Sequence, residues 1–240
     1  MDIFAHRGAS GNFPENTIAA FKEAARLPVF GVEFDVHMTA DGELVVIHDE
    51  SINRTSDGTG YVKDLSLGEL MKHDFGSWFS SDFQGETIPT LVDVLDVFDS
   101  TEHKLNIELK SDIFPYEGMV GRVLDVIAER QLESRVIISS FDHSAIQAVK
   151  RLNPQIETAA LFMEVLVHPL DYIHRIPADA LHILFPAAIR PPMAEVINSG
   201  MPVRTFTVND EKYAMLVKQA GVQAIFTDYP EKMNAFLHSR

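Results

Sequence analysis

Gly31-Val32-Glu33-Phe34-Asp35-Val36-His37 reads as one short strand with two unlike faces. Side chains alternate along a strand, so Val32, Phe34 and Val36 share one side and Glu33, Asp35 and His37 the other. Glu33 and Asp35 then sit roughly 6–7 Å apart along the chain. An exposed edge strand would tolerate such a pair unaided, but the three apolar neighbours fit a buried strand better. Two buried acids this close are costly unless something positive lies between them. A divalent cation is the simplest answer. His37 shares the parity of the acids, which leaves a supporting role for it open.

Outward from this strand the chain repeats one unit, a strand followed by a helix. Residues 2–7 form a first strand, and Asn16 is expected to cap a helix reaching about Arg26. Beyond the central strand, Asp41-Gly42 turns the chain into the short apolar strand 44–47, which runs into His48-Asp49. After Pro89, strands at 104–110, 135–139, 157–162, 180–184, 203–208 and 222–227 alternate with helices. Asp142 and Asn209 are expected to cap two of these helices, and Pro191 and Pro230 to open two more.

Eight strand–helix units in 240 residues match an α/β chain closed into a (β/α)8 TIM barrel. An open doubly wound sheet is the alternative. It usually carries a glycine-rich phosphate loop after its first strand, and Gly8 and Gly11 lack the G-x-G-x-x-G spacing. Residues 51–88 break the alternation with polar turns and one short helix opened by the capping box Ser66 to Glu69. They read as a small insertion after the second strand, packed over one end of a single domain spanning residues 1–240. Trp78 and Phe79 are expected to anchor that insertion in preference to lining a substrate mouth.

The formal charge is −15, from 20 basic and 35 acidic residues. That speaks against a nucleic-acid or acidic-membrane binder, which needs a basic face. An anionic substrate would need a locally positive site, through a metal ion, Arg or Lys. With no cysteine there are no disulfides, no thiolate nucleophile and no Cys-type zinc site. No apolar run is long enough to span a bilayer, and the first residues show no basic leader before an apolar stretch, so a cytoplasmic protein is the expectation.

Polar residues punctuate the carboxyl ends of the predicted strands: His6-Arg7, Glu33 and Asp35, His48, Glu108 and Lys110, Thr207 and Asn209, Thr227-Asp228. In a barrel these ends form one rim, where active sites sit. Glu33, Asp35 and Glu108 are assigned to one hard cation, and all-oxygen ligation favours Mg²⁺ or Ca²⁺ over zinc. Lys110 could instead form a cross-barrel ion pair with one of these acids. His6 and His48 are the candidate acid–base pair, because imidazole alone titrates near neutrality without perturbation. Arg7 and Lys110 would bind phosphate oxygens. His73, His103, His143, His168, His174, His182 and His238 are given structural or surface roles.

Taken together, His6-Arg7-Gly8 with Pro14-Glu15-Asn16-Thr17, Glu33-Phe34-Asp35-Val36, His48-Asp49 and Ile107-Glu108-Leu109-Lys110 closely resemble the glycerophosphodiester phosphodiesterase family. Ser139-Ser140-Phe141, Thr207-Val208-Asn209 and Thr227-Asp228-Tyr229-Pro230 match its later motifs, so the likeness spans essentially the whole chain. The resemblance implies a TIM-barrel enzyme that uses a divalent metal to hydrolyse a small-molecule glycerophosphodiester to an alcohol and glycerol 3-phosphate. It puts the catalytic histidines at His6 and His48 and the metal ligands at Glu33, Asp35 and Glu108. It makes Arg7 and Lys110 phosphate contacts and Glu15 a rim acid. Phe206 stands where the family usually has Trp, which leaves an apolar wall without an indole N–H. Rival readings are a phosphodiesterase acting on acylated lysophospholipids, a metal-dependent sugar-phosphate isomerase or aldolase, and a non-catalytic phosphodiester-binding protein.

Overall fold

The computed structural model describes residues 1–238. Its strands are β1 (Asp2–His6), β2 (Gly31–Met38), β3 (Leu44–Val46), β4 (Lys104–Leu109), β5 (Val136–Ser140), β6 (Glu157–Phe162), β7 (Ala180–Leu184), β8 (Val203–Phe206) and β9 (Ala224–Thr227). All but β3 pair in parallel in the order β1-β9-β8-β7-β6-β5-β4-β2, and β2 pairs back to β1. The sheet is therefore a closed eight-stranded parallel barrel, with helices in the connections, as the strand–helix repeat requires. β3 adds to β2 antiparallel, setting Val46 opposite Val36.

The alternation in β2 has the expected consequence. Val32, Phe34 and Val36 face outward into a core shared with Phe21 and Phe98 and with Leu91, Val94 and Leu95. These last three lie on the helix Leu91–Val97, opened by a Thr90–Asp93 capping box. Inside the barrel, Phe4, Ile137, Ala159, Ala180, Ala224 and Phe226 form a separate apolar cluster. Phe4 and Phe226 stack with ring centroids 4.9 Å apart. Burying side chains of this size contributes about 1.5–3 kcal/mol each, and here it holds the barrel wall beneath the rim.

Two expected caps are corrected. The helix Ile18–Ala24 is capped by Thr17, whose side chain accepts from the Ala20 N–H; Asn16 stands one residue earlier, at φ 57°. The helix Glu211–Gln219 is capped by Asp210, not Asn209. Both asparagines are drawn instead into the site described below. The segment 51–88 builds its own small core from Ile52, Val62, Leu70, Phe75 and Ile88 against Val45 and Ile47, and its Ser66–Glu69 capping box is present. Trp78 donates its Nε1–H to the Phe75 carbonyl at 2.9 Å, which fits the anchoring role. No helix among the described residues is long and apolar enough to cross a membrane.

Candidate active site

In the β2–β4 register Asp35 lies beside Glu108, while Glu33, two residues earlier on β2, faces the same interior. One carboxylate oxygen from each of Glu33, Asp35 and Glu108 lies within 4.8 Å of the others. Glu33 and Asp35 are buried, and Glu33 Oε1 has no hydrogen-bond partner. Burial, reinforced by the Asp35 and Glu108 charges, pushes the Glu33 carboxyl well above its ordinary range. Burial also raises Glu108, although Lys110 opposes it. At Asp35 burial is outweighed by Arg7, His48 and Lys110, and the carboxyl is held low. Three converging acids, one with an unpartnered oxygen, are the donor set that a hard divalent cation fits.

Arg7 sits at φ 54° and is followed by Gly8 at φ 82°. This turn aims the Arg7 N–H at Glu33 Oε2, 3.0 Å away, while Nη1 donates to Glu15 Oε1 at 2.8 Å. Its Nε lies 3.3 Å from Asp35 Oδ2, close in charge but without hydrogen-bond geometry. Asn16, freed from capping, donates Nδ2–H to Asp35 Oδ2 at 2.9 Å. Lys110 Nζ donates to Glu108 Oε1 at 3.0 Å. Lys110 thus pairs with the acid two residues before it on the same stretch, in place of the cross-barrel ion pair that is its alternative reading.

Both candidate histidines are backed by carboxylates. His6 Nδ1 lies 2.6 Å from Asp228 Oδ1. Although burial opposes it, hydrogen bonds from His6, Asn209 and Ser10 hold the Asp228 carboxyl below its ordinary range. An ionised carboxylate only accepts, so His6 carries its proton on Nδ1 and turns Nε2 toward Glu33, 3.9 Å from Oε2. His48 repeats the arrangement, with Nδ1 2.7 Å from Asp49 Oδ1. Asp49 is held low by hydrogen bonds from Arg54 and His48, against partial burial.

His37 is buried and neutral in tendency, since burial lowers its pKa. Its Nε2–H donates to the His48 carbonyl at 3.1 Å, and its Nδ1 accepts from the Tyr116 hydroxyl at 2.9 Å. The supporting role left open for it is therefore to hold the His48 backbone.

His6, Arg7, Glu33, His48, Glu108 and Phe206 line one cavity of about 110 Å³ at the barrel mouth. Phe206 meets Phe141 edge-on there, ring centroids 6.1 Å apart. Asp35 and Lys110 adjoin that lining through Arg7 and Glu108, and Glu15 stands behind Arg7. Two wider surface grooves of about 390 and 400 Å³ contain none of these residues. His182, expected to be bland, lines the same cavity: it is fully buried, and its Nε2 accepts from Arg204 Nη1 at 3.1 Å.

Sequence reasoning placed Asp49 and Asp228 in motifs without a task, gave Asn16 and Asn209 the wrong one, and passed over Arg54. The signal for the two aspartates was present: Asp49 directly follows His48, and Asp228 follows the last strand, which barrel closure sets beside His6. Asn209 is the pivot of the second network: its Nδ2 donates to Asp228 Oδ2, while its Oδ1 accepts from Thr227 Oγ1 and the Asp228 N–H.

The chain as a whole has counterparts among known proteins. Residues 6–232 match the model of the glycerophosphoryl diester phosphodiesterase family. The chain belongs to that family. It is 41% identical over 231 residues to a glycerophosphodiester phosphodiesterase of Caldanaerobacter subterraneus subsp. tengcongensis, covering 96% of this chain and 95% of that protein. A glycerophosphodiester phosphodiesterase of Bacillus altitudinis is 40% identical over 233 residues, covering 96% and 95% of the two chains. Among solved structures, an Oleispira antarctica phosphodiesterase in complex with the product sn-glycerol-3-phosphate superposes with a TM-score of 0.88 at 32% identity, covering 99% of this chain and 96% of that one. The family match and these relatives make the chain a phosphoric diester hydrolase of the glycerophosphodiester type.

Proposed function

We propose that this chain hydrolyses glycerophosphodiesters to an alcohol and sn-glycerol 3-phosphate, with His6 and His48 as the acid–base pair. Glu33, Asp35 and Glu108 would hold one divalent cation, Mg²⁺ or Ca²⁺. The observation that carries the reading is two carboxylate-backed imidazoles opening on a cavity lined by two of three converging acids, with the third, Asp35, adjoining it. The product bound to the Oleispira relative supports the substrate class. The working unit would be a single domain, residues 1–240, with the insertion at 51–88 over its mouth, acting in the cytoplasm on a small-molecule substrate.

When bound, the cation would offset charge on the phosphoryl group and on its three acids. Arg7 would place its remaining guanidinium donors on phosphate oxygens, held in aim by Glu15. Lys110 has three N–H donors, so its contact with Glu108 leaves two for the phosphate. Of the two Nε2 atoms, one takes the proton of the attacking hydroxyl and the other returns one to the leaving alcohol. Asp228 and Asp49 each accept from Nδ1–H and so keep Nε2 facing the substrate, bare on the ring that acts as base and protonated on the ring that acts as acid. Phe206 and Phe141 would wall the glycerol moiety. The attacking group can be water or the glycerol hydroxyl next to the phosphate, and the same residues serve either route.

The test is release of glycerol 3-phosphate from glycerophosphocholine and glycerophosphoethanolamine, with lysophosphatidylcholine alongside. Release with Mg²⁺ or Ca²⁺, lost with His6→Ala and with His48→Ala, is expected. Turnover of the acylated substrate alone would give the reading to a lysophospholipase D, and unchanged release from either variant would remove the histidines from the chemistry.

A further inference from the structure

Arg54 lies in the inserted segment, outside every strand of the barrel, yet it makes the densest set of charged contacts at the rim. Its Nη1 and Nη2 donate to Glu15 Oε2 and Oε1, both at 2.8 Å. Its Nε donates to Asp49 Oδ2 at 2.7 Å, and Nη2 also to Asp49 Oδ1 at 2.9 Å. One planar guanidinium thus grips two carboxylates along two edges, an arrangement that Lys cannot reproduce.

Each carboxylate hands the constraint on. Glu15 Oε1 also accepts from Arg7 Nη1, and Asp49 Oδ1 also accepts from His48 Nδ1. A continuous chain of hydrogen bonds therefore runs Arg7–Glu15–Arg54–Asp49–His48 around one side of the cavity. Isolated surface ion pairs contribute little, but a bidentate network whose far ends are held in a barrel rim fixes geometry. The chain of contacts ends at the two rim groups whose aim the proposed reaction needs.

We propose that Arg54 is a positioning residue, by which the 51–88 insertion sets the aim of His48 through Asp49 and of Arg7 through Glu15. This rests on the phosphodiesterase reading. It gives the insertion a task in turnover beyond covering the barrel end. Without Arg54, Asp49 loses its fixed orientation and lets the His48 ring rotate, while Glu15 loses the partner that holds it against Arg7.

The test compares the full-length wild type with R54A, R54K, D49N and R54A/D49N. Misaiming a catalytic group by about 1 Å can cost on the order of 10²-fold. R54A is expected to lower kcat by about 10–10²-fold. R54K should recover only a small part, and R54A/D49N should be no slower than the slower single variant, since both break one chain. Rates of R54A within twofold of wild type, or losses that multiply in R54A/D49N, would overturn the proposal. A second readout does not depend on turnover: the His48 imidazole Nδ1–H proton resonance, assigned by its loss in His48→Ala. It should shift or broaden in R54A and stay in place in His6→Ala. An unshifted resonance in folded R54A overturns the proposal even if the wild type hydrolyses no glycerophosphodiester, an outcome that would sink the functional reading separately.

Discussion

His6 and Asp228 stand 222 residues apart in the chain and 2.6 Å apart across the seam where β1 meets β9. Barrel closure is therefore what equips the first histidine. Asp228 is itself fixed by Ser10 Oγ at 3.1 Å and by Asn209 Nδ2 at 2.5 Å. Replacing Asp228 with Asn would swap an obligate acceptor for a group that can donate, and would release His6 into the wrong tautomer. D228N is expected to lower kcat by about 10²-fold while the protein stays folded. Steady-state rates on glycerophosphocholine check this, and a loss under threefold would contradict it.

The proposed metal site supplies a second expectation. Glu33 is buried with an unpartnered oxygen beside two other acids, so the metal-free protein carries a repulsion that a cation removes. At 100-fold saturation a ligand stabilises by about 2.7 kcal/mol, which for a chain of this size raises Tm by roughly 5–11 °C. Thermal melts with and without Mg²⁺ or Ca²⁺ measure it. Glu33→Gln should melt higher than the wild type without metal and gain little from metal.

How that gain depends on pH follows from the signs. The folded Glu33 and Glu108 carboxyls are raised, so their ionised forms cost stability as pH climbs above the unfolded value of about 4.3. Asp35 is lowered; its stabilising contribution is present above about 3.9 and fades as pH falls through the lower folded value. The metal-induced rise in Tm should therefore be larger at pH 8 than at pH 5. An equal rise at both would mean that the acids do not bear the repulsion described.

Much of this was legible in the strand 31–37. Its alternation separates an apolar outer face from an acidic inner one, and the same parity recurs in Glu108 and Lys110. The fold followed from repetition, since each strand–helix unit can bury its faces only by joining the next. What stayed hidden depends on which rim residues meet once the barrel closes. Asn16 and Thr17 are both good caps, and only the need of Asp35 for a donor, met from a left-handed backbone at Asn16, decides between them. Arg54 was hidden because its surroundings read as polar turns, and nothing local names its partners, 39 and five residues away.

Gly8 ties that backbone to stability. A Cβ there would lie 2.8 Å from the Ala20 carbonyl carbon, at φ 82°; at Gly85, φ 88°, a Cβ meets nothing within 4 Å. Gly85→Ala should lose only the conformational cost, about 1 kcal/mol, whereas Gly8→Ala adds a backbone clash and should lose several. Urea midpoints for the two variants measure the difference. Gly8→Ala should also impair turnover, because Arg7 precedes it.

Diffraction from crystals soaked in Mn²⁺ reaches the centre of the account. The expected result is a single anomalous peak bonded to oxygens of Glu33, Asp35 and Glu108, with the Nε2 atoms of His6 and His48 both facing the space beside it. A peak elsewhere, or none in crystals of protein that still releases glycerol 3-phosphate, would contradict the assignment of these three acids to the metal.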